Sequence, residues 1–177
     1  MRTDDFWQLI DRARSGGGGE PDAVAARTVA LLAELPPEEI VGYAEHQRRV
    51  LAASYKVDLW GAAYLINGGA SDDGFEYFRG WLMTQGRAVF ARAVTDPDSL
   101  AELPRVRAAS LSGEEFECED MLVAPWEAYR KATASDLPAP EAVPEPDLND
   151  FWDFDDEEEA RRRLPKLAAL FVEPPVE

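Results

Sequence analysis

The residues of this sequence that could do chemistry lie close together between positions 67 and 81. An Asn-Gly-Gly turn precedes a serine and two aspartates, and an arginine follows within two helical turns. Backbone N–H groups at a helix start favour an anion, and an arginine can bind a carboxylate or phosphate bidentately. Either aspartate could instead bind a cation or act as a base. If a small-molecule site exists, we expect it to use these residues: Asn67, Ser71, Asp72, Asp73, Tyr77, Arg79 and Trp81.

A simpler interpretation of the same stretch is a well-capped helix, and we favour it. Ser71 would be the N-cap, and the two aspartates would complement the positive end of the helix. Asp73 or Glu76 would then pair internally with Arg79 or Arg87. One feature keeps the functional alternative open. Gly74 lies in the first turn, where glycine is about 1 kcal/mol less favourable than alanine, as if a close backbone approach were needed.

One histidine and one cysteine are available for nucleophilic or metal chemistry. His46 lies between Glu45 and basic residues, in a pattern typical of a solvated helix. Cys118 lies in the run EEFECED, where carboxylates raise the pKa of a thiol and disfavour the thiolate. That run could help to bind a divalent cation, but an acidic edge strand or loop is the favoured interpretation. We therefore predict no metal site, no cofactor and no catalytic role for the histidine or the cysteine.

The charge of the chain limits the classes of partner. The 177 residues include 35 acids and 18 bases, for a net charge of −17. This excess argues against nucleic acid and anionic membrane, and it leaves a basic protein as a possible partner. No apolar run is long enough to span a membrane, and the start of the chain lacks the pattern of a secretory signal. With a single cysteine as well, we expect a cytoplasmic protein.

Apolar residues recur at helical spacing through most of the chain and predict a mostly α fold. We expect a compact orthogonal bundle of six or seven helices with at most a minor β element. Residues 57–66 are apolar nearly all round, which is typical of a central helix. Residues 72–95 predict one long aromatic helix, and Pro125 lies in the first turn of another predicted helix. The weaker pattern after Pro104 is compatible with a short strand or a loop.

The composition changes near residue 135. We predict a helical domain over 1–134, a proline-rich acidic linker over 135–153, and a C-terminal helix that packs back, with a tail, over 154–177. Residues 136–159 hold eleven acids and no base. Within them, NDFWDFDD alternates aromatic and acidic residues and could dock on a basic partner or mimic nucleic acid. We favour the alternative that these aromatic side chains fold onto the core.

Several blocks of the sequence resemble a known family. The blocks are DFWQLI, LWGAAYLINGGASDDGFEYFRGWLMTQGRAVFARAVTDPDSL and APWEAYRKAT. They are similar to the bacterial domain-of-unknown-function family four-two-four-zero, common in actinobacteria, over roughly residues 4–134. The resemblance implies a small helical domain and no particular reaction. Ala70 stands where the family pattern often has cysteine, so we expect no mechanism based on that thiol.

Three classes of function remain open from the sequence. The favoured hypothesis is a non-enzymatic protein-binding, accessory or regulatory module that acts through an acidic surface, because no nucleophile–base set is recognisable. The alternative is a small enzyme or ligand-binding protein that uses the turn from Asn67 to Arg79. A third possibility is a homo-oligomer whose interface uses exposed aromatic residues.

Overall fold

Helices form most of the chain, as the apolar periodicity predicts. The computed structural model describes residues 1–16, 18–139, 143–144 and 146–173, and this part contains ten α-helices, one 3₁₀ helix and no β-strand. The mostly α fold is therefore confirmed, with more helices than the six or seven expected. The elements are α1 (Thr3–Ser15), α2 (Pro21–Ala33), α3 (Pro37–Ser54), α4 (Val57–Asn67), α5 (Asp72–Thr84), α6 (Arg87–Thr95), the 3₁₀ helix (Pro97–Glu102), α7 (Pro104–Ser112), α8 (Glu119–Thr133), α9 (Glu157–Arg163) and α10 (Pro165–Phe171).

The predicted long helix over 72–95 is wrong in one respect, because the structure divides it into α5 and α6. The break falls at Gly86, whose φ of +86° lies in the left-handed region that glycine tolerates without strain. Phe90 and Ala93 after the break are still buried, so the apolar pattern continues and hides the interruption. The stretch after Pro104 begins with a helix, α7, and the expected loop follows at 113–118. The end of α7 is fixed by Gly113 at φ +69°.

Helix α8 begins at Glu119, so Pro125 lies inside the helix and not in its first turn. Proline has no N–H to donate to the carbonyl four residues earlier, which leaves the Met121 carbonyl without its usual helical partner. The side-chain amide of Gln47 in α3 donates to this carbonyl (3.2 Å) and to that of Leu122 (2.9 Å). The polar residue on the apolar face of α3 therefore makes the internal proline tolerable and joins α3 to α8.

Helix α8 packs against α2, α3 and α5. The approach of α5 depends on Gly80, because a Cβ atom there would collide with the backbone carbonyl of Cys118 and come within 3.1 Å of the Leu122 side chain. Phe75 and Phe78 of α5 are fully buried in the same core. A glycine in the middle of α5 thus sets the distance between α5 and the start of α8.

Helix α4 lies among the 3₁₀ helix, α5, α7 and α10. Its Gly61 faces the indole of Trp152, which occupies the space that a Cβ atom would need. Trp152 is buried, and its Nε1 donates to the Asp58 carboxylate (3.1 Å). The C-terminal part of the chain therefore contacts α4 through an aromatic side chain inserted at a glycine.

Helix α9 ends at Arg163, and Pro165 is the first residue of α10. The buried carboxylate of Asp98 accepts hydrogen bonds from the backbone N–H groups of Lys166 (3.0 Å) and Leu167 (2.9 Å). These are N–H groups of the first turn of α10, which have no partner within the helix. The division of the chain into a domain, a linker and a C-terminal segment stays a prediction.

Candidate functional site

The side chain of Asn67 is engaged by the backbone of a distant segment. Its Oδ1 accepts from the Phe116 N–H (2.9 Å) and its Nδ2 donates to the Phe116 carbonyl (3.3 Å). The amide thus pairs with both backbone groups of one residue, as a neighbouring strand would. Gly68, at φ +67°, ends α4 just after it, as the Asn-Gly pair predicts. Asn67 therefore positions the chain around Phe116.

The turn from Ser71 to Gly74 has the geometry of a capped helix. Ser71 is the N-cap of α5, and its Oγ accepts from the Gly74 N–H (3.1 Å). Asp72 and Asp73 are exposed in the first turn, where they complement the positive end of the helix. This confirms the predicted cap. It leaves both carboxylates directed to solvent.

Residues 113–118 run extended between α7 and α8 and lie against α5. Phe116 and Cys118 point inward and are buried, whereas Glu115 and Glu117 are exposed. The Cys118 N–H donates to the Tyr77 carbonyl (3.0 Å). The fully buried Trp81 ring stacks on Phe116, with centroids 4.6 Å apart. Two of the predicted site residues on α5 thus hold this segment in place.

Carboxylates from three elements meet around Tyr77, which is half-buried. The pKa of its phenol is raised, most strongly by the charge of Glu119, then by desolvation, and then by Asp73, Glu76 and Glu117. We define the acidic face as these four acids together with the exposed acids that lie beside them along the chain. Its members are Asp72, Asp73, Glu76, Glu115, Glu117, Glu119 and Asp120.

The acids of the acidic face are not neutralised by bases in the part of the chain that the structure describes. Each ion pair between described residues involves other carboxylates. Even Glu114, next to Glu115, pairs with Arg105 (2.6 Å), whereas Glu115 does not. The acidic face is therefore a region of concentrated negative charge.

Arg79 lies on a different side of α5. Residues two apart on a helix are separated by about 200° around its axis, so Arg79 points away from Tyr77. Its guanidinium is buried, donates to the Leu51 carbonyl at the end of α3 (2.9 Å), and lies over the Tyr55 and Phe75 rings (5.0 and 4.7 Å). The structure therefore does not bring Arg79 together with the Ser71–Asp73 turn.

A separate cavity of 220 Å³ lies beside Arg79. Arg48, Tyr55 and Glu76 also line it, and Val143 and Pro146 close one side. Its lining therefore combines two bases with one acid. This cavity shares only Glu76 with the acidic face, so the two surfaces are chemically distinct.

His46 is not in the solvated setting that the sequence suggests. It is buried, and its ring lies against Phe6, with centroids 4.7 Å apart. Burial lowers the pKa of its imidazole, and the charges of Arg49 and the N-terminus act in the same direction. The expectation failed because Phe6, on a helix 40 positions earlier in the chain, covers the imidazole.

Cys118 is also buried, and its pKa is raised to about 11. Desolvation is the main cause, and the carboxylates of Asp22 and Asp120 add to it. A thiol in this environment stays protonated at neutral pH and is a poor nucleophile. The direction follows the sequence prediction, but burial contributes more than the neighbouring acids.

Within the residues that the structure describes, no group of three or more His, Cys, Asp or Glu side chains is arranged to hold a metal ion. The carboxylates of the acidic face are thus spread over a surface and do not converge on one point. In the same part of the chain, no helix is both long enough and apolar enough to cross a membrane.

Sequence reasoning missed that EEFECED and the Ser71–Tyr77 stretch form one surface. The run EEFECED by itself predicts only an acidic edge strand or loop, separate from α5. The alternation of acidic and apolar residues from 114 to 119 was the available signal, because it predicts one buried and one solvated side. The alternation does not predict which element this stretch packs against, and the structure shows that it is α5.

Fold and surface together define a small all-α protein with a concentrated acidic face. The chain belongs to the family described as Protein of unknown function (DUF4240), whose model matches residues 1–131. The match runs from α1 almost to the end of α8, so it includes the whole acidic face and excludes α9 and α10. It confirms the family resemblance found in the sequence. No curated protein and no solved structure matches the chain.

Proposed function

We propose that this protein is a non-enzymatic, cytoplasmic protein-binding module with an accessory or regulatory role, and that its acidic face binds a basic surface of a partner protein. One observation carries the proposal: the exposed carboxylates around Tyr77 have no ion-pair partner among the described residues. Seven acids on one surface make a negative potential that attracts cationic groups. A half-buried tyrosine at the centre adds an amphipathic contact of the kind enriched in interfaces.

Helix-end electrostatics account for only some of these acids. Asp72 and Asp73 lie in the first turn of α5, and Glu119 and Asp120 in that of α8, where acids stabilise the helix. The acids at 76, 115 and 117 lie outside both first turns. A surplus of like charge costs stability through repulsion, which supports selection for binding a cationic partner.

A pair of variants with equal net charge tests the proposal. The face variant neutralises four acids of the acidic face and leaves Glu119 unchanged: Asp73→Asn, Glu76→Gln, Glu115→Gln and Glu117→Gln. The control variant neutralises four exposed acids on other surfaces: Glu34→Gln, Glu38→Gln, Glu45→Gln and Glu158→Gln. Both variants have the same charge, so any difference between them reports the location of the acids and not their number.

We expect the wild type and the control variant to retain the same basic protein from a native lysate at low salt and to release it at high salt. The face variant should retain much less. Affinity of the purified partner, measured by calorimetry, should fall about tenfold or more for the face variant, given about 1.4 kcal/mol per factor of ten. Equal retention by all three proteins would refute binding through this face. If both variants lost the partner to the same extent, retention would depend on net charge and not on the acidic face.

A further inference from the structure

Helix α8 leaves two large apolar side chains in solvent on its outer side. Val123 is 36% exposed and Trp126 is 38% exposed, although Met121, Leu122 and Ala128 of the same helix are buried. Tryptophan is among the residues most enriched at the energetic centres of protein interfaces. An exposed tryptophan beside an exposed valine on a rigid helix therefore requires an explanation beyond the packing of this fold.

These two residues belong to a straight row along α8. Glu119, Val123, Trp126 and Arg130 are spaced by four, three and four residues, and all four are exposed. At about 100° per residue they fall within about 60° of the helix circumference. We call this row the α8 stripe. It reads acidic, apolar, apolar, basic from one end to the other.

The α8 stripe is complementary to itself when one copy is reversed. The spacing of four, three and four is the same in both directions, and reversal exchanges the acidic end with the basic end. In an antiparallel pair of α8 helices related by a two-fold axis, Glu119 faces Arg130 of the second copy, and Val123 faces Trp126 of the second copy. A two-fold axis generates each contact twice, as in an isologous dimer.

We infer that the α8 stripe binds a second copy of this chain, forming a two-fold antiparallel dimer through α8. The inference does not depend on the proposed function, because Val123, Trp126 and Arg130 lie outside the acidic face and the two surfaces share only Glu119. The occupant is specified by charge order: a uniformly basic partner would meet attraction at Glu119 and repulsion at Arg130.

The dimer is expected to be weak and concentration-dependent. One helical row per copy buries less than the roughly 800 Å² per partner of a standard stable interface. Arg130 also has a partner within its own chain, Asp136 at 3.0 Å. Both side chains of that pair are highly exposed, so exchanging Asp136 for Glu119 of the second copy costs little.

Charge reversal tests the geometry. Glu119→Arg alone and Arg130→Glu alone each place two like-charged pairs across the two-fold axis, and each should weaken self-association about tenfold or more. The double variant Glu119→Arg/Arg130→Glu should restore it. An equimolar mixture of the two single variants should also associate, because both contacts of that heterodimer pair opposite charges. Sedimentation velocity over micromolar to millimolar protein measures all four cases.

Control variants distinguish association through the α8 stripe from nonspecific hydrophobic association and from misfolding. Trp126→Ala should weaken self-association, whereas Leu111→Ala, at a residue 93% exposed on α7, should not change it. Circular dichroism and thermal unfolding confirm that each variant is folded. A wild type that stays monomeric at millimolar concentration overturns the inference. So does a mixture of the two single variants that associates no better than either variant alone.

Discussion

Carboxylates have opposite roles in two regions of this protein. In the C-terminal region formed by 150–166, three acids, Asp150, Glu157 and Glu159, form ion pairs with the arginines at 161–163. In the acidic face, acids from three elements lie together with no base of the described chain among them. The C-terminal region has the denser run of acids in the sequence, yet much of its charge is neutralised internally. Density of acids along the chain therefore does not predict where negative charge is left without paired bases.

Arg163 shows how the C-terminal region neutralises its charge. Its guanidinium pairs with Asp58 (3.1 Å), Asp150 (2.9 Å) and Glu159 (3.0 Å) and lies over the Trp152 ring. The hydrogen bonds that this guanidinium donates to Glu159 and Asp150 raise its pKa further above its ordinary value. A single base thus joins three separate parts of the chain and covers the tryptophan that is inserted at α4. These acids stabilise the fold, and we assign them no part in binding.

The largest expected effect is on the contact between the C-terminal region and α4. Trp152→Ala removes a buried indole and its hydrogen bond to Asp58, and should lower the free energy of unfolding by about 3–5 kcal/mol. Phe151→Ala is the matched control, because that ring is 55% exposed, and it should change stability far less. Urea denaturation measures both. Equal, small effects would mean that the C-terminal region does not stabilise the domain.

The second-largest expected effect on stability is that of removing the guanidinium of Arg163. Arg163→Gln leaves three carboxylates without their shared cation and should cost about 1–2 kcal/mol, reduced from the buried-pair range because the acids are partly solvated. Arg162→Gln removes one exposed pair with Glu159 and should cost much less. If both substitutions had the same cost by urea denaturation, the acids of the C-terminal region would contribute as little to stability as those of the acidic face.

The sequence was sufficient to predict the mostly α fold, the Ser71 cap and the stop after Asn67, because each depends on local backbone chemistry. It was not sufficient for the break at Gly86, because the apolar period continues through it. The start of α8 was missed for a different reason. A proline in the interior of a helix is tolerated here because Gln47, 78 positions away in the chain, donates to the freed carbonyl.

The predicted site residues also divide into three that the structure brings to one segment and one that it does not. Asn67, Tyr77 and Trp81 are near one another in the sequence, and the structure brings all three into contact with residues 116–118. Arg79 is equally near in the sequence but lies on the other side of α5, as the helical period requires. Contact with residues 113–118 depends on packing between elements that are about 40 positions apart. No local sequence pattern predicts which elements pack together across that separation.

Acid should weaken the C-terminal region through Glu159. Hydrogen bonds from Arg162 and then Arg163 lower the pKa of its carboxyl to about 2 in the folded protein. A group with a lowered folded pKa contributes stability above its unfolded pKa, near 4.5, and loses that contribution as the pH falls towards 2. Glu159→Gln should therefore be less stable than the wild type at neutral pH, and the difference should disappear by pH 2. Thermal unfolding at several pH values measures this, and a pH-independent difference would contradict it.

The smallest expected effect on stability is that of Glu119→Gln, which should change the electrostatics of the acidic face and leave the fold intact. Glu119 is the main cause of the raised pKa of Tyr77, so Glu119→Gln should lower that pKa towards its ordinary value. The free energy of unfolding should change by no more than about 0.5 kcal/mol, because the carboxylate is exposed and unpaired among the described residues. Titration of the tyrosine ring-carbon resonance by nuclear magnetic resonance measures the pKa, with Tyr77→Phe to assign the signal.

Glu157→Gln in the C-terminal region is the control for that measurement, because it removes the same charge from an acid paired with Arg161 (2.7 Å). It should leave the pKa of Tyr77 unchanged, since an exposed charge beyond about 10 Å is screened at ordinary salt. If Glu157→Gln shifted the pKa as much as Glu119→Gln does, Tyr77 would be sensing net charge and not its neighbours. The carboxylates of α5, residues 113–118 and α8 would then not form one surface. A shift confined to Glu119→Gln places Glu119 next to Tyr77, as an acidic face that joins α5 to the start of α8 requires.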